Sequence, residues 1–196
     1  MTTLSVYDMG EFEKFYNIAL RFLSYRPRSE KEVRDHLNIK YQISKIKNKR
    51  VEKNELGIQS IIDKVIQKLK EQKFINDEEF GKWWVEQRTT FKPRSLRLIK
   101  TELRQKGISN EVVDKMIYDL RPARSAGGFK NYDLEEAKKL IEKRIKRFRN
   151  PLRCEASKFG MTNEVVYQKL GSYLARRGFD WETIKKSIDE VLEKRV

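Results

Sequence analysis

Apolar residues recur at every third or fourth position along most of the chain, the spacing that gathers side chains on one face of an α-helix. The first such face starts at Phe12 and stops before Pro27. Ser29 then begins a second helix, whose apolar face includes Val33 and Leu37. No segment has the two-residue alternation that is typical of half-buried strands. The pattern therefore predicts an all-α fold.

The pattern also repeats. The tripeptide Pro-Arg-Ser stands at 27–29 and again at 93–95, and in both copies a leucine follows eight residues after the serine. Apolar residues of 61–69 have the same spacing as those of 112–120, and a weaker third copy surrounds Arg177-Gly178-Phe179. These copies predict tandem repeats of three-helix units that resemble helix-turn-helix modules, stacked in an elongated, curved array.

The composition shift along the chain predicts the boundaries of these repeats. Repeat 1 is expected at 12–74, with a lysine-rich insertion at about 38–56 that we interpret as a mobile or partly helical excursion. Repeat 2 is expected at 75–121 and repeat 3 at 134–196. A segment containing one proline and two glycines, 122–133, is the predicted linker between them.

Helix ends are marked by capping residues. Ser29 and Glu32 have the spacing of a capping box, in which serine and glutamate each satisfy an unpaired backbone N–H. Asn76 is the predicted start of the first helix of repeat 2. Gly107 is the predicted end of its second helix, and Ser109 is expected to cap the third.

The net charge of the chain indicates what kind of partner it binds. The 196 residues are 38% hydrophobic and 37% charged, and 44 lysines and arginines against 29 acids leave a formal charge of +15 with a pI near 9.8. Such an excess suits a polyanion or an acidic protein partner, although a merely soluble basic protein remains an alternative.

The positive charge is concentrated in two runs. Between Lys82 and Lys106 there are eight basic residues and two acids, and between Lys138 and Arg153 there are eight basic residues and one acid. In the first run a set at three-and-four spacing is expected to share one helix face opposite Leu96, Ile99 and Leu103: Arg94, Arg97, Lys100 and Arg104. A solvated outer face, or cations placed at a helix carboxyl end, is the alternative interpretation.

The neighbouring Trp83 and Trp84 have two possible roles. They could stack on unpaired bases of a nucleic acid. Core packing of at least one of them is the alternative that we favour, because their helix needs an apolar face.

Several kinds of site and location are not expected. The sequence has no phosphate-binding glycine loop, metal-ligand cluster or nucleophile motif, so neither an enzyme nor a cofactor is predicted. The single Cys154 cannot form an intrachain disulfide, and His36 alone cannot complete a zinc site with it. No apolar run reaches the ~20 residues of a membrane span, and residues 1–12 do not resemble a signal peptide. We expect a cytoplasmic monomer with no membrane partner.

Two stretches carry a family resemblance. The run from Phe74 to Phe80, followed by Arg88 and then by Glu102 to Ser109, closely resembles the bacterial RecX family of recombinase regulators, as does the run from Ala19 to Val33. The resemblance implies tandem three-helix repeats. It also implies a protein that binds the RecA recombinase and RecA–single-stranded DNA filaments, and that modulates, chiefly inhibits, the recombinase, ATPase and coprotease activities in DNA repair, DNA recombination and the SOS response.

The predicted binding surface combines this resemblance with the basic runs. Its members are expected to contact the filament or single-stranded and duplex DNA: Arg26, Arg28, Arg88, Lys92, Arg94, Arg97, Lys100, Arg104, Lys106, Lys143, Arg144, Arg147, Arg176 and Arg177. Two alternatives remain open, a stand-alone helix-turn-helix protein that binds nucleic acid and a scaffold that binds only protein.

Overall fold

The computed structural model of the protein describes residues 6–47, 55–119, 128–148 and 163–193. These residues form helices joined by short turns, and no strand occurs within them, which confirms the all-α prediction. In chain order the helices are α1 Val6–Leu23, α2 Glu30–Lys47, α3 Glu55–Glu71, α4 Asp77–Glu86, α5 Leu96–Gln105, α6 Asn110–Asp119, α7 Gly128–Phe148, α8 Asn163–Ala175 and α9 Trp181–Glu193. A π-helical segment, Gln87–Phe91, continues α4.

The chain divides into two compact units. Unit 1 comprises residues 1–84 and 103–112, and unit 2 comprises residues 85–102 and 113–196. The boundary between the units runs through the predicted second repeat, so that the sequence repeats and the compact units do not coincide.

Unit 1 is organised around a core shared by α1, α2 and α3. Phe15 and Ala19 of α1 meet Val33 and Leu37 of α2 and the inner face of α3, and all of these side chains are buried. Packing of this kind, rather than helix propensity, stabilises short amphipathic helices, because each helix removes one apolar face from water.

Unit 2 has its own core, formed by α7, α8 and α9. Ile141 of α7, Leu170 and Leu174 of α8 and Ile188 of α9 are fully buried in it. In the same unit Leu96 and Ile99 of α5 are buried, as the apolar face of that helix predicted.

Helices extend into the two segments that the sequence analysis set apart as an insertion, predicted to be mobile or partly helical, and a linker. α2 continues to Lys47, so the first part of the predicted insertion is helical, while 48–54 lie outside the described residues. α7 begins at Gly128, inside the predicted linker, of which 122–127 also lie outside the described residues.

The predicted caps are present, with one correction. The Ser29 hydroxyl accepts a hydrogen bond from the N–H of Glu32 at 3.2 Å, and Asn76 accepts from the first turn of α4. The Glu32 carboxylate, however, binds Arg26 and Lys106 instead of completing the predicted capping box, because both cations lie within reach of it.

Candidate nucleic-acid interface

The serine of the first Pro-Arg-Ser tripeptide joins α2 to the turn that follows α5. Its hydroxyl donates to the Lys106 carbonyl at 2.7 Å, while the Glu30 N–H at the start of α2 donates to Asp77 Oδ1 at 2.9 Å. Burial raises the pKa of Asp77, against the opposing effect of that N–H. Two residues from a later part of the chain therefore complete the amino terminus of α2.

The second tripeptide makes the same contacts in unit 2. The Ser95 hydroxyl donates to the Gly178 carbonyl at 2.7 Å and accepts from the Leu98 N–H at 3.2 Å. Here Asp133 takes the role of Asp77, since its Oδ1 accepts from the Leu96 N–H at 2.9 Å. Burial, reinforced by nearby carboxylates, raises the pKa of Asp133 to about 6. The repeated serine is thus a structural junction.

Glycine is required on the other side of each junction. Gly107 and Gly178 have φ values of 87° and 86°, in the left-handed region that favours glycine. A Cβ on Gly107 would lie 2.7 Å from the Lys31 Cβ, and one on Gly178 would lie 2.6 Å from the Leu98 Cβ. The turns at Gly107 and Gly178, which the sequence repeat aligns, thus have matching dihedrals and matching close approaches.

The arginine of each tripeptide also packs inside its unit. The Arg28 guanidinium lies 4.0 Å from the centre of the Phe22 ring, which stacks on His36 at 3.9 Å with nearly parallel planes. This arrangement ties the end of α1 to α2 through a cation–π contact.

At the equivalent positions of unit 2 the contact is ionic. Arg88 and Glu102 replace the phenylalanine and the histidine, and Arg88 Nε donates to Glu102 Oε2 at 2.7 Å. Arg94 pairs with the same carboxylate, which is 9% exposed. Burial and the charges of Arg88 and Arg177 lower the pKa of Arg94. Two of the predicted binding cations therefore hold their own unit together.

In unit 1 a second carboxylate, Glu32, also pairs with two of the predicted binding cations. Arg26 and Lys106 both bind Glu32. Although burial raises the pKa of that carboxyl, the two hydrogen bonds outweigh burial and the pKa lies below its ordinary value. Arg26 and Lys106 also lie over the ring of Trp84, at 5.9 and 5.3 Å. Trp83 and Trp84 are half-buried, with ring centroids 6.0 and 5.7 Å from that of the buried Phe80.

The predicted basic face of α5 is divided between internal and external cations. Arg94 precedes the helix, since Ser95 caps it, and so it does not belong to the helix face that the spacing predicted. Lys100 pairs with Asp114 of α6. Arg97 and Arg104 are exposed.

The remaining predicted cations also include some that contact other residues of their own unit and some that are exposed. Arg177 donates to the Pro93 carbonyl at 2.6 Å and lies over the Tyr173 ring, where Arg144 also lies. The side chain of Arg147 is outside the described residues. The exposed members of the predicted set are Lys92, Arg97, Arg104, Lys143 and Arg176.

The described residues form neither a group of metal ligands nor a membrane-spanning helix. Within the described ranges there is no group of three or more metal-ligating side chains. None of the helices described is long and apolar enough to cross a bilayer.

Comparison with known proteins gives a consistent family. Residues 16–41 match the first three-helix domain of RecX, and residues 76–117 match the second. Regulatory protein RecX of Bacillus subtilis strain 168 is 29% identical over 181 residues, which are 92% of this chain and 56% of that protein. Regulatory protein RecX of Geobacillus sp. strain WCH70 is 32% identical over 179 residues, 90% of this chain and 53% of that protein. The chain thus spans about half the length of these relatives.

Solved structures show the same fold. The crystal structure of RecX from Lactobacillus salivarius is similar with a TM-score of 0.60 at 22% identity, over 93% of this chain and 97% of that one. A second crystal structure, of a regulatory protein RecX, has a TM-score of 0.59 at 22% identity, over 96% of this chain and 79% of that one. Each of the two domain matches contains one Pro-Arg-Ser junction, and the chain belongs to the RecX family of regulatory proteins.

Proposed function

We propose that the protein regulates the RecA recombinase by binding RecA and, more tightly, RecA polymerised on single-stranded DNA. Bound there, it restrains ATP hydrolysis, strand exchange and the coprotease activity, and so acts in DNA repair, recombination and the SOS response. The tandem pair of RecX domains carries this proposal. Several modest contacts along a filament combine into tight binding, while a free subunit or a bare strand offers fewer of them.

Exposed cations support a filament partner. Lys92, Arg97, Arg104, Lys143 and Arg176 are exposed in a chain whose formal charge is +15. Lysine and arginine at such positions attract phosphates without reading sequence, and each contact releases part of a counterion. If the protein neutralises about four to six phosphates of a single strand, log affinity falls with log salt at a slope of roughly −3 to −4.

A binding assay with three arms tests the proposal. Affinity is measured for RecA alone, for single-stranded DNA alone and for the assembled filament at one salt concentration. We expect the filament to bind most tightly, and DNA-dependent ATP hydrolysis to fall at less than one molecule per RecA subunit. Equal affinity for bare DNA and filament would instead indicate a stand-alone nucleic-acid-binding protein. Unchanged hydrolysis and strand exchange at equimolar protein would refute regulation.

A charge-reversal pair tests the exposed cations. The test variant replaces Lys92, Arg97 and Arg176 by glutamate, and it leaves Arg94 and Lys100 in their ion pairs. The control replaces three exposed lysines outside the predicted set: Lys64, Lys115 and Lys185. Both variants have the same net charge, so a larger loss of filament affinity in the test variant supports a specific surface. Equal losses would mean that only net charge matters. Circular dichroism checks that both variants remain helical.

A further inference from the structure

An exposed aromatic side chain precedes each Pro-Arg-Ser tripeptide by two residues. Tyr25 is 79% exposed and Phe91 is 69% exposed. Single exposed apolar residues are ordinary on protein surfaces and need no explanation. These two occupy the same position relative to the tripeptide, and each is followed by a cation, Arg26 or Lys92. Because they share this position in the two repeats, they differ from exposed apolar residues that are scattered over a surface.

In unit 1 the aromatic residue stands at a cavity with cationic walls. Tyr25 lines a cavity of about 440 Å³ together with Arg21, Lys40 and His36, and the described residues that line it include no carboxylate. Burial, Lys40 and Arg28 lower the pKa of His36, which favours the neutral imidazole at pH 7. The cavity therefore offers aromatic faces for a flat ring and two cations for an anion.

In unit 2 the aromatic residue is presented by unusual backbone geometry. Phe91 is the last residue of the π-helical segment, which the Lys92 N–H closes by donating to the Gln87 carbonyl at 3.2 Å. π-Helical turns are rare and occur frequently at functional sites. Phe91 and the adjacent Lys92 are both exposed, so an aromatic face and a cation again lie side by side.

We infer that Tyr25 and Phe91 are stacking platforms for unpaired bases, one in each unit. The exposed cations beside them, Arg21 and Lys40 in unit 1 and Lys92 in unit 2, are directed to the phosphates that flank each base. A base stacks on an aromatic side chain whatever its sequence, whereas the bases of a duplex are already stacked on one another. The cationic surroundings favour a phosphate backbone over an apolar protein surface. The inference rests on the proposed function in one respect: the proposed function identifies the bound strand as the single-stranded DNA of the RecA filament.

Alanine variants of the two aromatic residues test it. Binding of Tyr25→Ala, Phe91→Ala and the double variant is measured by fluorescence anisotropy at fixed salt. The ligands are an oligothymidylate, an abasic strand of equal length and a duplex. Each substitution should weaken oligothymidylate binding by about 5- to 150-fold, the range for loss of one stacked base. Binding to the abasic strand, which has phosphates but no bases, should be unchanged.

Matched controls separate stacking from exposure and from apolar packing. Phe74 in unit 1 and Trp181 in unit 2 are also exposed, by 53% and 67%, but neither precedes a Pro-Arg-Ser tripeptide. Their alanine variants should bind oligothymidylate like the parent protein. Tyr25→Trp and Phe91→Trp should retain affinity, while leucine at either position should not, since it is apolar but cannot stack.

Other outcomes overturn the inference. Equal losses on the abasic strand, or equal losses in the control variants, would exclude base stacking at these positions. Unchanged DNA binding with lost binding to RecA would make the aromatic residues protein anchors, and the proposed function would stand without the stacking sites. Conversely, stacking on bare DNA with no effect on RecA activity would uphold the inference and refute the proposed function.

Discussion

Replacing Ser95 by alanine removes one oxygen atom from the junction in unit 2. Ser95 is 1% exposed, and its hydroxyl serves two backbone groups at once. It donates to the Gly178 carbonyl at 2.7 Å and accepts from the Leu98 N–H at 3.2 Å. The Ser95 N–H, which donates to the Arg177 carbonyl at 3.0 Å, stays in place after the substitution. The variant therefore tests the hydroxyl alone.

The expected cost follows from these two hydrogen bonds. Loss of an N-cap costs about 1 kcal/mol of unfolding free energy. Leaving a carbonyl without its donor at a site closed to water costs about 1–3 kcal/mol more. We therefore expect Ser95→Ala to lower the free energy of unfolding by about 2–4 kcal/mol. Ser29→Ala should have a similar effect in unit 1, because Ser29 is fully buried and makes the equivalent contacts.

Two further variants isolate the junction. Ser109 caps α6 at an exposed position, where its hydroxyl is 3.4 Å from the Val112 N–H and water can replace it, so Ser109→Ala should cost under about 1 kcal/mol. Glycine is a nearly adequate N-cap, so Ser95→Gly should lose chiefly the hydrogen bond to Gly178. Urea denaturation followed by circular dichroism gives the totals, and amide hydrogen exchange at Leu98 reports the site itself. The reasoning is refuted if Ser95→Ala costs no more than Ser109→Ala.

Two other substitutions test the same junction from its facing side. Because the pKa of Asp133 is raised to about 6, the folded protein binds this proton more readily than the unfolded chain, and ionisation destabilises the fold as pH rises from about 4 to 6. Asp133→Asn keeps an acceptor for the Leu96 N–H, and at pH 7 it should raise the free energy of unfolding by at most about 3 kcal/mol over the parent. Urea titrations should show this gain vanish near pH 4, and a gain independent of pH would contradict the raised pKa of Asp133. Gly178→Ala should lower the free energy of unfolding by about 2–4 kcal/mol, because the new side chain has a left-handed backbone and close contacts. Gly171→Ala, in α8 with the nearest atom to its new Cβ at 3.9 Å, should be neutral or slightly stabilising. Similar changes in melting temperature for the two variants would be inconsistent with strain at Gly178.

Much of the fold could be predicted because it depends on local pattern. The apolar spacing that predicted helices around Val33 and Leu37 is the spacing of side chains that the structure buries. The glycines at the repeated turns were equally predictable, since glycine most readily adopts the left-handed backbone found at Gly107 and Gly178. The length of α2 was harder to predict, because 38–47 has little periodicity and is helical nonetheless.

The candidate site was less predictable, because pairing of charges depends on tertiary distance. Nothing in the spacing of Arg88 and Arg94 shows that both reach Glu102, and the carboxylate looks like an ordinary helical acid in the sequence. One signal was present: aligning the two tripeptides places Arg88 and Glu102 at the positions of Phe22 and His36. An aromatic pair in one copy and an opposite-charge pair in the other indicate a contact between helices.

Some of the cations form ion pairs inside their own unit and others are exposed, so the net charge alone does not describe the surface that is available for binding. A formal charge of +15 suggests a uniformly positive surface, yet Arg26, Arg88 and Arg94 each have a carboxylate partner within their own unit. Reversing such a residue leaves a buried or half-buried carboxylate beside a new negative charge, and the resulting loss of stability would obscure any effect on binding. Exposed cations such as Lys92 and Arg97 can be reversed at much smaller structural cost. Substitutions restricted to exposed cations are therefore the ones whose effects on binding can be separated from effects on stability.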